Sequence, residues 1–132
     1  MFQAERMAEL FFRVLEDNRK ESRVLLHEFV IMPDHFHLLL TPAFEVSLEK
    51  VMQFVKGGFS YRAKHELSCN LEIWQKGFKE HRIKGRPDYR HHAEYIRMNP
   101  VRRRLVERPE EYPYSSANLR FRMDGTPEHL QG

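Results

Sequence analysis

Two β-rich runs, residues 24–32 and 35–41, stand only Pro33 and Asp34 apart, and no other feature of the chain constrains the fold as tightly. A proline followed by an aspartate turns the backbone, so the runs are expected to pair as an antiparallel hairpin. The second run, HFHLLLT, alternates. Strand side chains project to opposite faces with a period of two, which puts His35 and His37 on one face. Phe36, Leu38 and Leu40 then point the other way, into a core. Two neutral imidazoles on one strand face can hold a metal ion. The same spacing also arises by accident of composition, and the strand alone leaves both readings open.

Around the hairpin the apolar period becomes helical. Met7, Leu10, Phe11, Val14 and Leu15 make an amphipathic helix of residues 2–20. A second helix is expected from Ser47, a good N-cap, with Leu48, Val51, Met52, Val55 and Phe59 as its buried stripe. Lys50 stands where an acid would complete a capping box, so none is expected. Gly57-Gly58 interrupts that helix, at about 1 kcal/mol per glycine relative to alanine, and is either a plain weak point or, as preferred here, a close approach of another backbone or a phosphate. Residues 71–74 and 78–83 read as a short strand pair or one bent strand. Pro87-Asp88 opens a third helix running to Asn99, which Pro100 ends or kinks. The tail, from about residue 109, is turn-rich and irregular, and Ser115-Ser116 within it read as turn residues. The resulting α+β order is that of a ferredoxin-like sandwich, save that no strand stands ahead of the first helix.

At 132 residues the chain is expected to form one domain with a core of its own. With 41% hydrophobic and 31% charged residues it is neither disordered nor membrane-embedded. A single cysteine, Cys69, and an opening MFQAERMAEL without a signal-peptide pattern lead to the expectation of a cytoplasmic protein. The net charge of +3 is mild, but its distribution is uneven. Lys76, Lys79, Arg82, Arg97, Arg102 and Arg103 crowd the second half among Trp74, Phe78, Tyr89 and Tyr95. Cations beside aromatics are the footprint of a single-stranded nucleic-acid surface, and equally of a solvated helix face. Lys56 and Arg62 on the second helix are further candidate phosphate contacts.

On the third helix Asp88, His92, Tyr95 and Asn99 form one polar stripe, beside an apolar stripe of Tyr89, Ala93 and Ile96 that can dock on a sheet. If the polar stripe lies over the histidine face, the site gathers two imidazoles, an amide oxygen and a phenol. That set suits phosphodiester transesterification, with Tyr95 as nucleophile and a metal as Lewis acid. An oxygen ligand such as Asn99 beside two histidines suits Mg²⁺ or Mn²⁺. Taken singly, Tyr95 also fits a packing role, and Asn99 before a proline also fits a helix end.

Four stretches raise the specificity of this reading: VIMPDHFHLLLTP, IWQKGFKEHRI, DYRHHAEYIRMNPVRRRLV and PEEYPYSS, spread over residues 24–117. With their spacing they resemble the single-tyrosine HUH transposases, and within these the REP-associated tyrosine transposases of bacteria. The resemblance implies that His35 and His37 are metal ligands, that Tyr95 is the nucleophile, and that Asn99 completes the metal site. It implies cleavage of single-stranded DNA, often beside a palindromic hairpin, through a covalent 5′-phosphotyrosine; pairing of the chain as a homodimer is a separate expectation. The family usually begins with a strand that lies beside the histidine strand, and the sandwich here is expected to lack it. Lys76, Lys79, Arg82, Arg102 and Arg103, with Lys56 and Arg62, are the expected DNA contacts. Two competing readings are a non-catalytic DNA- or RNA-binding relative and a metal-dependent hydrolase of small phosphoesters.

Overall fold

The computed structural model describes residues 3–33, 35–64 and 83–131. Its elements run α1 (Gln3–Lys20), β1 (Val24–Ile31), β2 (Phe36–Pro42), α2 (Leu48–Arg62) and α3 (Arg86–Arg102), followed by single 3-10 turns at Pro109–Glu111 and Glu128–Leu130. Strands β1 and β2 pair antiparallel, with Ile31 opposite Phe36 and Val30 opposite His37. The strand expected over residues 71–74, and nearly all of that expected over 78–83, lie outside the described residues.

The hairpin is apolar on both faces. A bulge between Leu26 and Glu28 shifts the register at His27. Because side chains alternate along a strand, the extra residue brings even-numbered Leu26 onto the same face as odd-numbered Phe29 and Ile31. These three join Phe36, Leu38 and Leu40 of β2 in a core with α1 and α2, where Phe11, Val14, Val51, Val55 and Phe59 are buried. Phe11 stacks 4.6 Å from Phe36 and 5.2 Å from Phe59. The other face carries Val30, Met32 and Leu39, and α3 covers them with Tyr89, Ala93 and Ile96. The displaced residue of the bulge, His27, is itself buried and bonded at 2.8 Å to Thr41 Oγ1 on β2.

Helix α2 begins as expected, with the Ser47 side chain accepting from the Lys50 N–H. It runs unbroken through Gly57-Gly58. A Cβ on Gly58 would lie 3.2 Å from Val14 Cγ1, so this glycine lets α1 and α2 cross closely, while Gly57 faces open space. Proline 100 does not end α3, which continues to Arg102. Its ring removes one helical hydrogen bond, but the carbonyls of Asn99 and Pro100 still accept from Arg103 and Leu105, and the proline is fully buried.

The tail beyond Arg108 closes the free edge of β1. Ile31 N–H donates to the Tyr114 carbonyl and Ser116 N–H to the Phe29 carbonyl, both at 2.9 Å. Phe29 N–H donates to Ser116 Oγ at 3.0 Å, and that hydroxyl donates on to Glu28 at 2.8 Å. Further along, Asp124 takes the Leu26 N–H on its carboxylate and returns its own N–H to the Leu26 carbonyl. A tail that reads as irregular in sequence therefore satisfies edge groups that would otherwise recruit another strand. The outer edge of β2, where the family's first strand is expected, has no partner among the described residues. No described helix is long and apolar enough to cross a membrane.

Two substitutions weigh the core against the strap. Phe29→Ala empties a fully buried site and is expected to cost about 3–5 kcal/mol. Ser116→Ala strands one edge N–H and should cost about 1–2 kcal/mol. Urea denaturation measures both, and a larger loss for the serine variant would contradict this ordering.

Candidate active site

The histidine face of β2 is also the face on which α3 lies. His35 enters the strand from a turn closed by the Met32 N–H on the His35 carbonyl at 2.7 Å. The His35 and His37 rings stand 5.1 Å apart, nearly perpendicular. Tyr89, Ala93 and Ile96 press α3 onto Val30, Met32 and Leu39, which swings the adjacent polar stripe over the imidazoles. Tyr95 arrives with its ring centre 5.6 Å from that of His37, again nearly perpendicular. The phenol is 44% exposed, so a large substrate can reach it from solvent.

One turn further along α3, Asn99 is only 3% exposed, and its Oδ1 has no hydrogen-bond partner. A buried, unsatisfied carbonyl oxygen carries a desolvation penalty of about 1–3 kcal/mol, which a bound cation would remove. The chemistry of the donors, two imidazole nitrogens and an amide oxygen, fits a divalent ion with oxygen-rich coordination. Among the described residues no three His, Cys, Asp or Glu side chains gather as a metal cluster.

Electrostatics and burial keep the His37 imidazole neutral. Burial first, then the positive charges possible at His35, Arg103 and Arg102, push its imidazole down to about 4. The ring is therefore neutral at physiological pH, with a lone pair to donate. The same cations mark the surroundings as anion-attracting. Arg102 lies over the Tyr95 ring, its guanidinium carbon 4.1 Å from the ring centre, and also hydrogen-bonds the Tyr95 carbonyl. Arg103 caps the end of α3 and is exposed.

The other expected contacts are placed differently. Lys56 and Arg62 ride on α2, which packs on the opposite face of the hairpin, and Arg62 pairs with Asp17 at 2.9 Å. The fold does not bring them to the histidine face. Lys76, Lys79 and Arg82 lie outside the described residues. His92, on the polar stripe, is held by Asp88, whose carbonyl lies 3.0 Å and carboxylate 3.1 Å from Nδ1. Ser115 and Ser116 serve the backbone as expected, accepting from Ala117 N–H and Phe29 N–H respectively. The contact that sequence reasoning missed is Arg102 on Tyr95; their i,i+7 spacing, two turns on one face, was its available signal.

The chain is similar to known proteins along most of its length. The sequence model of the family described as "Transposase IS200 like" matches residues 1–99. A REP-associated tyrosine transposase of Escherichia coli is 32% identical over 93 residues, covering 69% of this chain and 53% of that protein. A Haemophilus influenzae protein described as "Putative REP-associated tyrosine transposase" is 31% identical over 112 residues, covering 77% of this chain and 64% of its own length. The matched stretch thus spans between half and two thirds of these curated relatives. No solved structure matches the chain significantly. The α+β arrangement, with helices on both faces of an antiparallel hairpin, fits the ferredoxin-like fold of the matched group. The family match over three quarters of its length and the two tyrosine-transposase relatives agree, and the chain belongs to the IS200-like transposase family.

Proposed function

We propose that the protein is a metal-dependent strand transferase for single-stranded DNA, with Tyr95 as nucleophile and His35, His37 and Asn99 as ligands of Mg²⁺ or Mn²⁺. The observation that carries this reading is the 5.6 Å approach of the Tyr95 ring to His37 within one chain. When bound, the divalent ion supplies Lewis-acid polarisation of the scissile phosphate. Tyr95 Oη attacks phosphorus and the bond from phosphorus to the 3′ oxygen breaks; the phenol gives its proton to water, and the departing 3′ oxygen takes one from water. The products are a 5′-phosphotyrosine and a free 3′ hydroxyl. Attack by a 3′ hydroxyl on the phosphotyrosine reverses the step and joins strands without a nucleotide cofactor. The neutral imidazole of His37 and the orphaned oxygen of Asn99 are lone-pair donors that need no proton removed before they bind a cation. Exposed Arg103, at the end of α3, is placed to receive a flanking phosphate.

The relatives' names point to DNA as the substrate. A hairpin beside the cleavage site and pairing of two copies belong to the same reading. A non-catalytic binding relative would hold the same DNA without covalent chemistry, so labelled single-stranded DNA with Mn²⁺ separates the two. Wild type is expected to carry label through a denaturing gel. Tyr95→Phe is expected to bind DNA with unchanged affinity and carry none. Label retained by the phenylalanine variant would remove Tyr95 from the nucleophile's role, and binding without label in the wild type would favour the non-catalytic reading.

The ligand assignment has a readout independent of cleavage. Mn²⁺ should raise the thermal midpoint of the wild type. Asn99→Leu, which removes the orphaned oxygen, should gain about 1 kcal/mol in chelator and lose most of the gain from Mn²⁺. Equal stabilisation of both proteins by Mn²⁺ would contradict Asn99 as a ligand. In chelator, the folded pKa of His37 lies below its ordinary 6.5. Its contribution to stability is therefore full above about 6.5 and is lost as the pH falls to about 4. His37→Gln should flatten that part of the stability profile.

A further inference from the structure

Arg102 ends α3 two turns beyond Tyr95, and its side chain folds back along the helix. The guanidinium lies over the Tyr95 ring, its carbon 4.1 Å from the ring centre, while donating to the carbonyl of the same residue. Tyr95 is thereby gripped by backbone and ring together. His37 stands perpendicular to the ring from the strand side. We propose that Arg102 is a positioning residue: it clamps the phenol beside His37 in the orientation needed for attack, and so acts on the nucleophile rather than on the DNA backbone. This inference rests on the reading of Tyr95 as nucleophile.

Two observations and two points of chemistry favour the clamp. Tyr95 is 44% exposed and lies on the solvent side of the stripe that buries Tyr89, Ala93 and Ile96, so apolar packing leaves its ring free to change rotamer. In-line displacement needs the phenolic oxygen within about 3–3.5 Å of phosphorus, a demand that a mobile ring meets only part of the time. Pro100 has no N–H for the Ile96 carbonyl, so the turn just after Tyr95 is one hydrogen bond short, and Arg102 spans that turn from beyond the proline. A planar guanidinium can stack on a ring and donate sideways to a carbonyl at once; a lysine ammonium, a compact point charge, cannot match both geometries.

The test compares Arg102→Ala and Arg102→Lys with wild type in three measurements. The first is single-turnover adduct formation at saturating single-stranded DNA with Mn²⁺. The alanine variant should be slower by on the order of ten- to a hundredfold, and lysine should restore little of the loss. The second is DNA affinity across a salt series, in which both variants should keep the wild-type slope. The third is the Arg102 Nε–H resonance of the free protein. It should be shifted upfield by the ring and return to the position of a solvated arginine in Tyr95→Leu.

A salt slope reduced by about one with an unchanged rate at saturation would make Arg102 a phosphate contact and overturn the clamp. An Nε–H already at the solvated position in wild type would overturn it as well. If wild type forms no adduct, the proposed function falls and the positioning role falls with it, while an unshifted resonance beside a normal adduct overturns the clamp alone.

Discussion

Three small contacts, Tyr89, Ala93 and Ile96 on Val30, Met32 and Leu39, hold α3 across the histidine face, and the candidate residues on α3, Tyr95 and Asn99, take their places from them. Each of the three helix residues is at most 7% exposed. Burying one side chain of the size of isoleucine contributes about 1.5–3 kcal/mol, enough to make the helix a fixed part of the fold. Helical geometry does the rest. Tyr95 follows Ile96's neighbouring stripe to the edge of the interface, half in solvent, and Asn99 lies one turn on, where the helix is buried. The phenol is thus reachable by a strand of DNA, while the amide oxygen is shut away from water and left without a donor. Such an oxygen is a weak point in an empty fold and an asset in a metal-bound one.

The hairpin can support helices on both faces because of one extra residue. The bulge at His27 inverts the facing of β1 partway along, so apolar residues serve the α1/α2 core at Leu26, Phe29 and Ile31 and the α3 side at Val30. A two-stranded ribbon alone is marginally stable. Here it is reinforced from three directions: by the two helix layers and by the tail that binds the β1 edge through Tyr114, Ser116 and Asp124. Glu28, beneath Ser116, shows how tightly the strap closes. Burial raises its carboxyl pKa despite the Ser116 hydroxyl and the nearby Arg97, which pull the other way.

Local periodicity made much of this legible. The hairpin, the opposed facing of His37 and Leu38, the Ser47 cap and the two stripes of α3 are all short-range patterns, and the structure holds each of them. Long-range backbone pairing left no such trace. The tail's serines read as turn residues, and they are, but that the turn docks on β1 depends on contacts about 87 residues apart in sequence. The bulge hid for another reason: a period of two is visible only while it persists. Pro100 read as an end or a kink because its local penalty is real, yet burial of the ring and intact bonds on either side carry α3 past it. Charge was the least legible property. Lys56 and Arg62 share a composition with Arg102 and Arg103 but ride on the opposite layer, and only packing separates them.

The central claim is that the phenol of Tyr95 and the imidazole pair face one shared space in the same molecule. Paramagnetic broadening by Mn²⁺ tests it most directly, since the effect decays steeply with distance from the ion. With ring-labelled tyrosine and histidine, substoichiometric Mn²⁺ should broaden His35, His37 and Tyr95 first, and His35→Ala with His37→Ala should abolish the effect on Tyr95. A Tyr95 signal that stays sharp while both histidines broaden would place the phenol elsewhere and contradict the account.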